Sequence, residues 1–84
     1  MFLAKVYVSL KPTVNDPQGL TIRSSLHELG FGNVANVRAG KYMEITLDDG
    51  DAAGAHEQLE QMCRQLLANP VIETYRFELE EMAP

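Results

Sequence analysis

Side chains able to do chemistry are sparse in this sequence and do not converge. Asp48, Asp49 and Asp51 crowd one turn, where their oxygens would suit a hard cation. That turn lacks the ligand pattern of a calcium loop, so negative charge at the start of the following helix is the better account. His27 and His56 have no carboxylate or second histidine at ligand spacing and are expected on solvated helix surfaces. Cys63 is the single cysteine, which excludes an internal disulfide framework and a cysteine-only metal site. It falls at the edge of an apolar helix face and is expected in the core. Nothing assembles a nucleophile, a base and an oxyanion site, so the chain by itself is not expected to be an enzyme. What remains is Arg38-Ala39-Gly40-Lys41. A cationic pair on either side of a strand glycine suits an anionic ligand or a partner's surface, the alternative being a solvated bend.

The elements that would position these residues follow from periodicity. Phe2 to Leu10 alternates, with Phe2, Ala4, Val6, Val8 and Leu10 on the buried side of a first strand. After the turn-rich KPTVNDPQG, Asp16 is expected as a helix N-cap with Pro17 at the first helical position. Ile22, Leu26 and Leu29 form one apolar face, and Gly30 ends the helix in a left-handed conformation with Phe31 packing back. The chain is then organised around Asn33 to Asp48. Val37, Ala39, Met43, Ile45 and Leu47 alternate with Asn36, Arg38, Tyr42, Glu44 and Thr46. Lys41 falls on the apolar side. A two-residue hairpin at Gly40-Lys41 would mix the faces and is rejected. A three-residue turn Ala39-Gly40-Lys41, or one bent strand of about 50 Å, keeps them sorted, and both stay open. So long a strand would project beyond its own domain into an oligomer interface. The second helix carries Ala55, Leu59, Met62 and Leu66, flanked by Ala52, Cys63 and Leu67, until Asn69 caps it and Pro70 forbids continuation. Val71 to Leu79 is the last strand, and the tail EEMAP is expected to fray.

Strand, helix, long strand or hairpin, helix, strand predicts an α+β two-layer sandwich: an antiparallel sheet with two helices on one face, ferredoxin-like if the hairpin forms. The uncovered sheet face carries Tyr7, Tyr42 and some apolar residues. An 84-residue chain is one domain, 1–84, with a marginal core. No run is long enough for a membrane span and no leader precedes a cleavage site, so a cytosolic protein is expected. The net charge of −5 is uneven: residues 1–42 carry five basic and two acidic side chains, residues 43–84 two basic and ten acidic. Nucleic acid is therefore excluded as a main partner, and solvated acidic faces are the plain reading. The sequence has no cysteine pair for a metal chaperone, no set of stacking aromatics for RNA, and no P-loop or dinucleotide fingerprint.

Three blocks nevertheless resemble a known family. LKPTVNDPQG (Leu10 to Gly19), LGFGNVANVRAGKYMEI (Leu29 to Ile45) and MCRQLLANPVIETY (Met62 to Tyr75) are similar to the blocks of PurS, the small subunit of bacterial and archaeal phosphoribosylformylglycinamidine synthase. Thr13 stands where the family often has glycine, and Gln65 where lysine is frequent. The resemblance implies a role in purine biosynthesis, as a non-catalytic assembly and bridging subunit. A glutaminase subunit (PurQ) releases ammonia, and a synthetase subunit (PurL) consumes it, using ATP and Mg. It implies no cofactor for the small subunit itself, and homodimers or tetramers. Candidate interface residues are Arg38, Gly40, Lys41 and Tyr42, with Lys11 and Asn69. The alternative is a stand-alone regulatory domain that binds a small metabolite as a dimer.

Overall fold

The structure, a computed structural model, describes residues 1–48 and 50–83. Two earlier expectations therefore touch residues outside the described ones: Asp49 in the acidic turn and Pro84 in the tail. The element order is β1 (Phe2–Leu10), α1 (Pro17–Glu28), β2 (Gly40–Leu47), α2 (Ala52–Met62), a π-helical turn at Cys63–Leu67, and β3 (Glu73–Glu81). The three strands form an antiparallel sheet in the order β2-β1-β3. The alternation of β1 makes it the central strand. Ala4, Val6 and Val8 pack against Leu59, Cys63 and Ala68, while Phe2, Leu47 and Ala55 form a smaller cluster at the other end. The α+β expectation holds, and so does Cys63 as a core residue.

Local signals act as expected at both helix starts. The Asp16 carboxylate accepts from the Gly19 amide (2.9 Å) with Pro17 next to it, and Asp51 accepts from Ala53 and Gly54 (both 3.3 Å). At the end of α1, Gly30 has φ 101°, its N–H donates to His27 O (3.1 Å), and Phe31 N–H donates to Leu26 O (3.0 Å). This is a Schellman closure, which L-residues resist because of the left-handed backbone.

Four expectations change. First, β2 begins at Gly40, and neither the hairpin nor the long bent strand forms. The backbone before it is committed elsewhere. Ala39 N–H donates to Asp16, and the Val37 carbonyl lies so close to Gly19 that a β-carbon there would collide with it. Second, α2 packs on β1 and β3, whereas α1 makes no comparable contact with the sheet. Leu20, Ile22, Leu29 and Phe31 are 48%, 39%, 73% and 54% exposed. Residues 11–39 form an arm that leaves the sheet beyond Leu10 and returns beside it, since Ser9 pairs with Gly40. The arm stretches the molecule to 50 × 29 × 14 Å with a radius of gyration of 16.6 Å; a compact chain of this length has about 12 Å.

Third, Leu66 is 82% exposed rather than on the core face. Ala68 N–H donates to Cys63 O (3.0 Å), a five-residue closure that turns the following residues by one position. Leu67 and Ala68 meet the core in its place. Fourth, β3 starts at Glu73, two residues later than expected, so Val71 is 76% exposed. Its far end does not fray: Glu80 and Glu81 pair with β1, and Met82 N–H donates to Met1 O (2.8 Å).

Candidate functional site

The arm is rooted where β1 ends, and five of the six candidate interface residues gather there. Arg38 donates from Nη1 to Val14 O and from Nη2 to Lys11 O, both at 2.9 Å. Its fork is thus spent inside the chain, closing the turn after β1. Asp16 works against it from the other side. One carboxylate oxygen caps α1 and the other accepts from Ala39 N–H (2.8 Å), so a single buried side chain joins the start of the arm to its return. The Gly19 and Ala39 N–H groups, helped by the nearby Arg38 guanidinium, hold the Asp16 carboxyl below its usual range, against the opposing effect of burial. Lys11 N–H donates to Ile72 O (2.8 Å), fixing the root to the link before β3.

Lys41 sits opposite Val8, which is the apolar parity assigned to it. Its acceptor is supplied by the same chain: Glu73, 3.6 Å away, with the Lys41 side chain 61% and the Glu73 side chain 14% exposed. Glu73 also accepts from Asn69 N–H (2.7 Å), and Asn69 in turn accepts from Val71 N–H (3.0 Å), so Asn69 organises the Pro70 turn. Gly40 does not have positive φ; a β-carbon there would lie 2.6 Å from Val8 O, so close approach of two strand backbones is what requires glycine. Between these groups lies an open cleft of about 240 Å³, lined by Val8, Leu10, Asp16, Gly40, Lys41 and Glu73 among others. Ligand pockets usually start near 300 Å³. Here Lys41 and Glu73 are already paired with each other, and Asp16 is taken by two backbone amides.

Tyr42 is the candidate that the structure separates from the rest. It lies on the other face of the sheet, 5.0 Å from the Tyr7 ring, with its hydroxyl donating to Glu44 (2.9 Å). Arg76 stacks over Tyr7 at 3.9 Å and Lys5 pairs with Glu80 at 3.2 Å, so this face is a ribbon of aromatic and paired charges. Hydrogen bonding to Glu44 raises the Tyr42 pKa, and the Glu80 pairing raises that of Lys5.

Both histidines are exposed on their helices, as expected, and each has a neighbour. His27 donates from Nε2 to Val34 O (2.8 Å), tying α1 to the returning segment of the arm, and His56 lies 5.0 Å from the Phe77 ring. Burial pushes the Cys63 thiol up, away from the reactive thiolate. Among the described residues no group of His, Cys, Asp and Glu is placed to hold a metal, and no helix is long and apolar enough to cross a membrane.

Fold and site together define an open α+β domain, built around a clasped helical arm whose apolar side is left uncovered. Residues 3–81 match the family model of PurS, phosphoribosylformylglycinamidine (FGAM) synthase. The chain belongs to the PurS family. It is 52% identical over 75 residues to subunit PurS of phosphoribosylformylglycinamidine synthase from Synechocystis, covering 89% of this chain and 75% of that one. It is 48% identical to the Bacillus subtilis subunit, covering 98% of this chain and 96% of that one. The solved B. subtilis PurS superposes with a TM-score of 0.88 over 96% of this chain and all of that chain (100%). A chain of the Thermotoga maritima PurLQS structure superposes at a TM-score of 0.83 with 28% identity, covering 95% of this chain and 99% of that one.

Proposed function

We propose that this chain is the bridging subunit of a glutamine- and ATP-dependent phosphoribosylformylglycinamidine synthase, working in the cytoplasm between a synthetase subunit (PurL) and a glutaminase subunit (PurQ). The observation that carries this reading is the α1 arm. Leu20, Ile22, Leu29 and Phe31 stand in water in the isolated chain, although the arm's root is clasped by Asp16 and Arg38. A helix held rigidly away from its own core is suited to completing another surface. A second copy of the chain is the first such surface, giving the homodimer or tetramer; the larger subunits take the rest. The PurLQS assembly of the T. maritima relative supports the same partners here. Glutamine, ATP and Mg are used by the partner subunits. The small subunit contributes coupling, keeping the released ammonia on course to the activated amide of formylglycinamide ribonucleotide.

The test is reconstitution. Omitting this chain from the mixture of synthetase and glutaminase should abolish glutamine-dependent turnover and affect turnover on free ammonia less. Glutamine hydrolysis or ATP consumption by the purified chain alone, or full glutamine-dependent turnover without it, would overturn the assignment.

A further inference from the structure

The link between α2 and β3 presents apolar side chains that the fold had the means to bury. The 3.6-residue pattern through Ala55, Leu59 and Met62 would carry Leu66 into the core. The π-helical turn instead directs it outward, 82% exposed, and five residues later Val71 is 76% exposed, with Ile72 39% exposed beside it. π-turns are rare insertions that recur at functional sites. This one removes a leucine from a core that is small for its chain, where burial would be stabilising.

We propose that Leu66 and Val71 are the apolar anchors of a docking surface for a larger protein subunit, which receives them in an apolar depression edged by carboxylates. The proposal rests on the bridging role argued above. Charge favours this occupant. The chain as a whole carries −5, yet the acids at this end are engaged. Glu73 holds Lys41 and Asn69 N–H, Glu60 holds the Tyr75 hydroxyl (2.8 Å) and Arg64 (3.5 Å), and Asp16 holds two amides. The Lys11 ammonium, on the residue bonded to Ile72, has no ion-pair partner among the described residues. A surface of this kind meets an acidic rim. Area argues against a second copy here. Three aliphatic side chains expose on the order of 250 Å² at about 25 cal/mol/Å², against about 800 Å² per partner in a stable interface. That amount suits an anchor within a larger contact, while the α1 face supplies the surface for self-association.

The experiment uses the full chain, its double variant Leu66→Ser/Val71→Ser, the milder Leu66→Ala, and Lys11→Glu. Affinity for the separate synthetase and glutaminase subunits is measured by interferometry, alongside light scattering and thermal melting of the chain alone. Both apolar variants should keep the parent's oligomeric state and melting temperature, since the altered side chains lie in solvent. The double variant should bind at least one of the two subunits about tenfold more weakly or worse. Lys11→Glu should mainly slow association and reduce its salt dependence. If the parent binds a larger subunit and the double variant binds it equally well, the proposal is wrong. Loss of self-association in the apolar variants also overturns it, by reassigning the patch to a copy of this chain. A parent that binds neither subunit refutes the bridging role itself, a distinct failure, and the patch falls with it.

Discussion

Asp16→Asn separates the two tasks of one side chain. Asparagine caps helices as well as aspartate, so the bond to Gly19 N–H survives through its carbonyl oxygen. The second position then holds an NH₂ group facing Ala39 N–H, donor against donor, where the carboxylate accepted at 2.8 Å. A partly buried amide left without an acceptor costs about 1–2 kcal/mol, within the range for lost hydrogen bonds. For a domain of this size that corresponds to a melting temperature lower by roughly 4–16 °C. The local readout is sharper. Amide exchange at Ala39 should accelerate about tenfold or more, since each tenfold is about 1.4 kcal/mol, while Gly19 stays protected. The effect has a pH counterpart. The folded carboxyl titrates below its usual value, so its contribution is present above that value and is lost as pH falls through the lower, folded one. The variant should flatten this acid limb. If Ala39 exchanges at the parent's rate, Asp16 is no more than a helix cap and the arm is fixed by other contacts; if Gly19 loses protection together with it, the two tasks are one and their separation is wrong.

Gly40→Ala should lower stability by about 1–3 kcal/mol in denaturant titration, because its β-carbon meets the Val8 carbonyl with only backbone to yield; an unchanged midpoint would refute the close-approach argument. Lys41→Ala should cost no more than about 1 kcal/mol in the same assay, as the ammonium is mostly in water and Glu73 keeps the Asn69 amide. Cys63 should resist a thiol reagent in the native protein and react at once in denaturant; fast native labelling would contradict its burial. Light scattering at micromolar concentration should give a mass above the 9.4 kDa of one chain, and a monomer would contradict the reading of the α1 face.

What was legible in the sequence is local. The Asp16 cap, the Gly30 closure, the alternation of β1 and the burial of Cys63 each depend on residues within one turn or one strand face. The errors around Arg38 to Lys41 come from contacts across long separations. Ala39 reads as a strand residue until its amide is seen to be taken by Asp16, 23 positions earlier. Arg38 reads as a free fork until the carbonyls of Val14 and Lys11 fold back onto it. Glu73 was there to be found. It shares the inward parity of Tyr75 and Phe77, and an inward acid on one strand is the natural complement of an inward Lys41 on another. The π-turn left no comparable signal, because the pattern that predicts Leu66 inward continues through it without a break.

The position of α1 follows from the same physics. A two-layer domain would fold α1 back over the sheet to bury Leu20, Ile22 and Leu29. The clasp forbids that return: Asp16 is bonded to both ends of the arm, Arg38 closes the turn below it, and Gly19 lies against the Val37 carbonyl with no room for a side chain. His27 adds a further tie from within the arm to Val34. Polar bonds of fixed geometry therefore hold an apolar helix in water, which a lone chain gains nothing from doing. The arrangement makes sense when the buried partner of α1 lies outside the chain, and when the clasp is what aims the helix at it.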